Sequence, residues 1–303
     1  MEVGMVRVIV PATTANLGPG FDTMGLALDM YTEVIMETGG EGIRITSEGE
    51  GSEELSCSED NLIYKCAKKL FDSVEYEPKG LSVRIINGIP LSRGLGSSAS
   101  AIIAGLLAAR EISAANISDY ELLKMATEVE GHPDNVAPAL FGGFVLSRME
   151  GKEIIYRKID VDDKLLAVVA IPEFELPTEK SRAILPRAVS REDAIFNIGN
   201  ASLLVYSLLM KDYSLLRKAM NDRLHEPYRI PLVPGLEEVK RRALGAGAFS
   251  AALSGAGPTV IAFADEHNSE SVRSAMEEGF RSAGIESDVR ILSLNNKGAI
   301  VYR

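Results

Sequence analysis

Residues 90–100, PLSRGLGSSAS, constrain the fold of this chain more than any other stretch. They lie between an apolar run at residues 81–86, typical of a buried strand, and one at residues 99–109, typical of a helix. Gly94 and Gly96 allow close approach of the main chain to a ligand. Ser97 and Ser98 then open a helix whose first N–H groups lack internal partners. The stretch predicts an anion site at a helix N-terminus, with an ordinary strand-to-helix connection as the simpler alternative.

The loop does not follow the P-loop pattern G-x-x-x-x-G-K-[ST], because no lysine stands at the required place. The string P-x-x-x-G-L-G-S-S-A instead resembles the phosphate loop of the GHMP kinases, the superfamily of galactokinase, homoserine kinase, mevalonate kinase and phosphomevalonate kinase. The resemblance implies that the loop binds ATP. The implied ATP-binding residues are Pro90, Leu91, Ser92, Arg93, Gly94, Leu95, Gly96, Ser97, Ser98, Ala99 and Ser100. Asn61, in SEDNLIY, matches the position that meets adenine in relatives, and a helix cap is its structural alternative.

Composition narrows the class of protein further. The 303 residues suit two domains or one large one, and a net charge of −11 argues against a general nucleic-acid binder. Cys57 and Cys66 are too few for a disulfide scaffold, so we expect a cytoplasmic protein. No signal-like segment opens the chain and no apolar run reaches the roughly 20 residues of a bilayer span, so we expect no membrane partner.

Strand-like and helix-like patterns are mixed along the chain without strict alternation, which predicts an α+β fold. We predict strands at residues 6–10, 31–37, 142–146, 154–157, 165–171, 249–253, 259–264 and 287–294. Helices are predicted to follow residue 61 and to cover residues 118–130, 194–210, 213–220, 235–244 and 269–281. Residues 12–22 are predicted to be a turn-rich segment, and residues 41–58 strand ends and a loop.

The first further motif is PATTANLGPGFD, residues 11–22, which closely resembles the opening of homoserine kinases. The resemblance implies that Asn16 and Asp22 contact the substrate, while Thr14 and the glycines of residues 18–20 shape the loop. The structural alternative is that Asn16 caps a turn and Asp22 caps a helix beginning near Thr23.

The second motif is ATEVEGHPDNVAPALFGG, residues 126–143, whose HPDNVAP string is similar to the homoserine kinase signature. The resemblance implies that Glu130 is a magnesium ligand, with Glu128 as the alternative position and Ser98 as the partner hydroxyl. Two oxygen ligands with phosphate oxygens and waters suit Mg²⁺. Solvated charges at a helix end are the structural alternative for both glutamates, and we interpret His132 as a structural hydrogen-bonding residue.

The same loop raises the question of a catalytic base. Some GHMP kinases use an aspartate here against the substrate hydroxyl, and phosphoryl transfer depends mostly on positioning and charge neutralisation. We expect Asn135 to orient the substrate and Asp134 to act electrostatically or as the base.

The third motif, LSGAGPT at residues 253–259, resembles a glycine-rich turn that lies beside the phosphate loop and substrate in the family, which implies a role for Gly255; a plain hairpin is the alternative. PTEKSRAILPRAV and EPYRIPLVPG also resemble homoserine kinase segments, so Thr178, Arg182 and Arg229 are further substrate candidates. A carboxylate favours a bidentate guanidinium, and Arg187 is interpreted as a surface residue.

Together these motifs imply a two-domain GHMP kinase fold, with an α+β nucleotide-binding domain at residues 1–160 and a ferredoxin-like α+β domain at residues 161–303. They imply ATP-dependent phosphorylation of L-homoserine, with Mg²⁺ as cofactor, in a homodimer. The alternatives are another GHMP small-molecule kinase, such as mevalonate kinase, and a catalytically silent binding protein on the same fold.

Overall fold

The computed structural model describes residues 4–303 of the chain. Its strands are β1 (Met5–Asn16), β2 (Gly20–Thr38), β3 (Gly42–Gly49), β4 (Gly80–Asn87), β5 (Phe144–Glu150), β6 (Glu153–Ile159), β7 (Leu166–Pro172), β8 (Ser250–Leu253), β9 (Val260–Ala264), β10 (Ser287–Ser293) and β11 (Ile300–Tyr302). Its α-helices are α1 (Leu62–Ser73), α2 (Ser97–Ile112), α3 (Asp119–Glu130), α4 (Pro133–Phe141), α5 (Thr178–Ala183), α6 (Arg191–Met210), α7 (Leu216–Ala219), α8 (Glu226–Arg229), α9 (Leu236–Gly245) and α10 (Ser269–Ser282). The mixture of strands and helices is the predicted α+β class.

Seven strands form the first sheet around the long strand β2. β2 pairs antiparallel with β1 along most of its length, with β4 near its end and with β5 near its start. β3 runs parallel to β4, β6 forms a hairpin with β5, and β11 pairs with β1. The predicted alternation at residues 31–37 is confirmed, since Val34 and Met36 are fully buried while the alternate residues Glu33 and Ile35 are partly exposed.

Helix α2 lies at the centre of the first core. Most of its residues are buried, including Ile102, Leu106 and Ala109, so it is apolar on nearly all sides, as a core helix must be. It packs against strands β1 and β2 and helix α1. Because its first turn emerges from the phosphate loop, this packing fixes the loop relative to the sheet.

The second sheet contains four antiparallel strands in the order β10-β7-β9-β8. Helices α9 and α10 pack on it over apolar residues such as Val239, Val272 and Phe280. The strand order and the helices between the strands correspond to the expected ferredoxin-like arrangement. A further apolar cluster, including Leu17, Leu26 and Phe263, joins residues of both sheets.

The predicted starts of helices α3 and α1 are confirmed. Ser118 caps α3 in a capping box, in which its hydroxyl accepts from the Glu121 N–H and the Glu121 carboxylate accepts from the Ser118 N–H. Asn61 caps α1 through its side-chain oxygen, which accepts from the N–H groups of Ile63 and Tyr64.

Other local predictions were wrong. The segment predicted as turns is strand up to Asn16 and strand again from Gly20, so Asp22 caps no helix. The HPDNVAP segment treated as a loop is the start of α4, with Pro133 at its first position, where a missing N–H costs nothing. Strand β3 was assigned only as strand ends and loop, and β11 was not predicted.

Helix α6 is the one helix in residues 4–303 that is long and apolar enough to cross a membrane by length and composition. Its first three residues, Arg191–Asp193, are charged, and Leu204 and Leu208 pack into the apolar cluster between the sheets. Several of its large apolar side chains, among them Ile195 and Ile198, are exposed, while Phe196 and Val205 are half-buried.

Candidate active site

The three glycine-rich motifs pack directly on one another. Gly94 and Gly96 have φ angles of 77° and 68°. A Cβ on Gly94 would lie 2.4 Å from the carbonyl oxygen of Ser254, and one on Gly96 would lie 1.9 Å from Thr13 Oγ1. Glycine is therefore required at both positions for two reasons: the backbone is left-handed, and a Cβ atom would clash with neighbouring atoms. The phosphate loop is held between the first motif, which carries Thr13, and the third, which carries Ser254.

Helix α2 begins immediately after Gly96 and has no side-chain cap. Its first N–H groups and the positive end of its dipole therefore remain available to an anion. Ser97 and Ser98 line the same pocket as Ser92, Arg93 and Gly94–Gly96. The residues of the predicted loop-to-helix anion site therefore line a cavity, which is the surface that such a site would need.

Not all predicted ATP residues line this pocket. Pro90, Leu91, Ala99 and Ser100 lie outside its lining. Ala99 is fully buried, and the Ser100 hydroxyl donates to the Pro11 carbonyl. Asn61 is also outside the lining, and its side chain is occupied in capping α1 and donating to the Ser56 carbonyl.

Ser98 and Glu130 meet at one end of the pocket. The Ser98 hydroxyl donates to Glu130 Oε2 at 2.7 Å. Burial raises the pKa of Glu130, and the Ser98 hydrogen bond offsets part of that rise. Glu128, two residues earlier on α3, instead forms an ion pair with Lys69 at 2.9 Å and is 59% exposed. Of the two glutamates considered for a metal, Glu130 is the one in the pocket.

This donor set fits a small, hard cation. A hydroxyl and a carboxylate are the oxygen ligands that Mg²⁺ takes together with phosphate and water. The half-buried Glu130 carboxylate accepts the Ser98 hydrogen bond and has no cationic hydrogen-bond partner among the described residues. Burial raises its pKa, and a bound cation would offset that effect.

Helix α4 brings three polar residues to the pocket with its first turn. Asp134 is buried and makes a short hydrogen bond with Nδ1 of His132. Burial alone would lower the pKa of His132, but the hydrogen bond and charge of Asp134 outweigh it and the pKa is raised. Asn135 Oδ1 accepts from the Thr13 hydroxyl at 2.8 Å. Thr13 was not predicted as a site residue, although it lies within the first motif.

Asp22 and Arg182 form a bidentate ion pair beside these groups. Arg182 Nη2 and Nη1 donate to the two carboxylate oxygens of Asp22 at 2.6 and 3.0 Å. The hydrogen bond and charge of Asp22 raise the pKa of Arg182. Asn16 braces this loop, because its side-chain oxygen accepts from the Asp22 N–H and its amide donates to the Gly255 carbonyl.

Arg229 approaches the pocket from a fully buried position on α8. Its side chain is only 1% exposed, yet it lines the cavity together with Arg182, Thr178 and Gly255. Burial, followed by the charge of Arg182, lowers the pKa of Arg229 to about 10, so the guanidinium remains charged at neutral pH. Two cations from different elements thus face one cavity.

Asp22, His132 and Asp134 also offer ligand atoms within 4.8 Å of one another. Arg182 already occupies both oxygens of Asp22, and His132 is hydrogen-bonded to Asp134. This cluster is internally paired and does not need a cation.

Comparison with known proteins identifies the family of the chain. The family model described as GHMP kinases N terminal domain matches residues 61–143, and that described as GHMP kinases C terminal matches residues 204–282. A homoserine kinase of Clostridium botulinum (strain Alaska E43 / Type E3) is 43% identical over 300 residues, covering 99% of each chain. A homoserine kinase of Microchaete diplosiphon is 45% identical over 98% of this chain and 97% of its own.

Solved structures give the same result. The crystal structure of homoserine kinase from Cytophaga hutchinsonii has a TM-score of 0.90 and 34% identity, covering 100% of this chain and 98% of that one. The mevalonate kinase of L. major has a TM-score of 0.74 at 19% identity, covering 95% of both chains, a likeness of fold alone. The chain therefore belongs to the homoserine kinase family of the GHMP kinases, enzymes that transfer a phosphoryl group from ATP to the side-chain hydroxyl of L-homoserine.

Proposed function

We propose that this single pocket binds both substrates, with the phosphates of ATP at the start of α2 and homoserine between Asp22, Arg182 and Arg229. The observation that carries the proposal is that one cavity is lined by the phosphate loop and by two arginines from α5 and α8. The loop N–H groups suit phosphate, and guanidinium groups suit a carboxylate.

The charges of homoserine match the side chains around the cavity. Its ammonium group pairs with Asp22, and its carboxylate pairs with Arg182 and Arg229. Binding then exchanges the ion pair between Asp22 and Arg182 for pairs with the substrate, so neither residue is left unpaired and buried. Thr178 and Gly255 line the wall of this subsite.

Asn135 is the better candidate to orient the substrate hydroxyl. Asn16 uses both ends of its side chain to hold Asp22 and Gly255, whereas the Asn135 amide has only a long contact of 3.5 Å to Asp134. Asp134 Oδ2 makes no hydrogen bond with a described residue, which leaves it available to accept the hydroxyl proton. The other oxygen of Asp134 is hydrogen-bonded to His132, and we assign Asp134 the role of an electrostatic group or base.

Ser98 and Glu130 would hold Mg²⁺. The ion would neutralise negative charge on the phosphates of ATP during transfer. The chain's own contribution is to hold a hydroxyl and a carboxylate 2.7 Å apart beside the helix N-terminus.

The substitution Glu130→Gln tests the metal assignment. It preserves shape and removes charge, so turnover should fall steeply, by about 100-fold or more, while the dissociation constant for homoserine stays within about twofold. Glu128→Gln is the matched control on the same helix and should be mild, since Glu128 pairs with Lys69 at the surface. Steady-state kinetics over a Mg²⁺ titration measures the turnover of both variants. Mild effects from both variants would remove the glutamates from the metal site.

We further propose a cytoplasmic homodimer in which helix α6 meets its copy in a second chain. The helix exposes a set of large apolar side chains: Ile195, Ile198, Leu203, Tyr206, Leu209 and Met210. An apolar groove adjoins it between Val205 on the helix and Ile155 on β6. Such a continuous apolar face is typical of an interface rather than of a free surface.

The division into domains at residues 160 and 161 is also a proposal. It is supported by the change of sheet between β6, which ends at Ile159, and β7, which begins at Leu166.

A further inference from the structure

His225 is a buried histidine that contacts two parts of the homoserine subsite at once. Its side chain is fully buried at the start of α8. Nδ1 lies 3.0 Å from Arg229 Nη1, and Nε2 lies 2.7 Å from the carbonyl oxygen of Gly18. Its ring stacks on Phe21 with centroids 5.1 Å apart. No motif drew attention to this residue, and His225 does not line the pocket itself.

The two hydrogen bonds define the state of the imidazole ring. A guanidinium can only donate, so Nδ1 must be the bare, accepting nitrogen. A carbonyl can only accept, so Nε2 must carry the proton. The ring is therefore the neutral Nε2–H tautomer. Burial lowers the pKa of His225, despite the Asp222 carboxylate 3.6 Å from Nε2, which agrees with a neutral ring.

His225 also decides which part of Arg229 is free. Arg229 Nε donates to the Ser181 carbonyl, and Nη1 donates to His225 and to the Gly255 carbonyl. Nη2 has no hydrogen-bond partner among the described residues. Since Arg229 lines the cavity, Nη2 is the nitrogen left for a ligand. Among the described residues, the His225 bond is the one side-chain hydrogen bond to this guanidinium, which also contacts the Phe21 ring at 5.5 Å from Cζ.

The other bond of His225 reaches the loop that carries the proposed ammonium partner. Gly18 lies between Asn16, which holds the Asp22 N–H, and Asp22 itself. A Cβ at Gly18 would lie 2.1 Å from the Met220 carbonyl, so the loop sits against the segment that leads to α8. The His225 imidazole thus connects Arg229, the proposed partner of the homoserine carboxylate, with the loop that carries Asp22, the proposed partner of the ammonium group.

We propose that His225 is a positioning residue for homoserine, which sets the rotation of Arg229 by accepting its hydrogen bond and fixes the Gly18 loop by donating another. The proposal rests on the proposed role of Arg229 in binding the carboxylate. It assigns to His225 no contact with either substrate.

The test compares three substitutions that separate the two bonds. His225→Asn keeps an acceptor at the position of Nδ1, His225→Gln keeps a donor near the position of Nε2, and His225→Leu removes both. We expect the KM for homoserine to rise least in His225→Asn, by about threefold or less, and by about tenfold or more in His225→Gln and His225→Leu, where the bond to Arg229 is lost. The KM for ATP should stay within about twofold. His267→Gln, at an exposed histidine, is the control.

Arg229→Met distinguishes failure of this inference from failure of the proposed function. If Arg229→Met leaves the KM for homoserine unchanged, the carboxylate role is wrong and the inference falls with it. If Arg229→Met raises that KM but the Asn and Gln variants match the wild type, only the role of His225 is overturned. A parallel rise in the KM values for ATP and homoserine would also overturn it, because that pattern indicates general loosening of the fold. Should His225→Leu fail to fold, the Asn and Gln pair alone decides the question.

Discussion

Asp22 and Arg182 show at the scale of single residues how the pocket is prepared for a zwitterion. Each is the partner of the other in this structure and the proposed partner of one charged group of homoserine. A ligand that brings both charges can replace both halves of the pair. A ligand with a carboxylate alone leaves Asp22 without a cation, which is costly in a half-buried site.

The substitution Asp22→Asn should therefore weaken homoserine binding specifically. We expect the KM for homoserine to rise about tenfold or more, the size of a lost charge-assisted bond of roughly 1.5–3 kcal/mol, while that for ATP stays nearly constant. Asp72→Asn, which breaks an exposed ion pair with Lys68, is the control and should change neither. Unaltered homoserine kinetics in Asp22→Asn would remove Asp22 from the subsite.

His225 predicts a dependence of stability on pH. Its pKa in the folded chain is lowered from 6.5, so the unfolded chain binds the proton more readily. Above about pH 6.5 the ring is neutral in both the folded and the unfolded chain, and its contribution to stability is fully present. That contribution is lost as the pH falls below about 6.5, because the unfolded chain then binds a proton that the folded chain does not. The raised pKa of His132 has the opposite effect, because it stabilises the folded chain as the pH falls. This contribution is the same in the wild type and in a variant at His225.

Urea unfolding at about pH 8, 7, 6 and 5 checks this expectation. The unfolding free energy of the wild type should fall more steeply below about pH 6.5 than that of His225→Gln, because the variant has no group to protonate there. Two parallel curves would mean that His225 titrates alike in the folded and unfolded chains.

Several site residues could be predicted from sequence because they lie in contiguous motifs. Ser98, Glu130 and Asp22 are of this kind: Ser98 and Glu130 line the pocket, and Asp22 lies outside the lining but pairs with Arg182, which lines it. The choice between Glu130 and Glu128 needed the structure, because it depends on which way each side chain leaves the end of α3. His225 could not be found, since its importance comes from contacts with Arg229 and with Gly18, 207 residues away.

At the scale of secondary-structure elements, the junction between β4 and α2 forms the proposed nucleotide site. The loop is fixed by tertiary contacts on both sides, since the Thr13 N–H donates to the Leu95 carbonyl and the Ser254 hydroxyl donates to the Gly94 carbonyl. The position of the helix N-terminus is therefore set by the core packing of α2 and by the neighbouring motifs together.

Gly96→Ala tests how much this close packing matters. A methyl group at Gly96 would lie 1.9 Å from Thr13 Oγ1, so we expect ATP affinity to fall at least tenfold and stability to fall by about 2 kcal/mol or more. Gly151→Ala is the control, because its φ of 62° is also left-handed but nothing lies within 4 Å. Calorimetric titration with ATP and urea unfolding measure the two effects. Equal behaviour of the two variants would show that the contact at Gly96 is unimportant.

Helices with strong local sequence signals were predicted well. Strand segments that form because they pair with a neighbouring strand were not. The capping box at Ser118 marks the start of α3, and the apolar run after Gly96 marks α2. By contrast, the first motif reads as turn residues, yet the chain there continues as strand because β1 and β2 pair almost to their shared turn. Tertiary pairing overrides local preference at such positions.

At the scale of the whole molecule, the exposed apolar face of α6 predicts association. Ile198→Glu places a charge at the centre of that face, where the native side chain is 67% exposed, and should shift the protein from dimer to monomer with little loss of stability. Ile43→Glu, at an exposed isoleucine of β3, should leave the dimer intact. Sedimentation velocity measures the change. A wild-type protein that sediments as a monomer, or an Ile198→Glu protein that remains dimeric, would contradict the proposed interface.

We propose that this chain recognises homoserine through both of its charges, with Asp22 for the ammonium group and the two arginines for the carboxylate. The most direct measurement is kcat/KM from coupled ADP release with L-homoserine, with 4-hydroxybutyrate, which lacks the ammonium group, and with mevalonate. We predict that homoserine exceeds 4-hydroxybutyrate by about tenfold or more and that mevalonate is poorer than homoserine. Equal values for homoserine and 4-hydroxybutyrate, or a preference for mevalonate, would contradict recognition of homoserine through both charges.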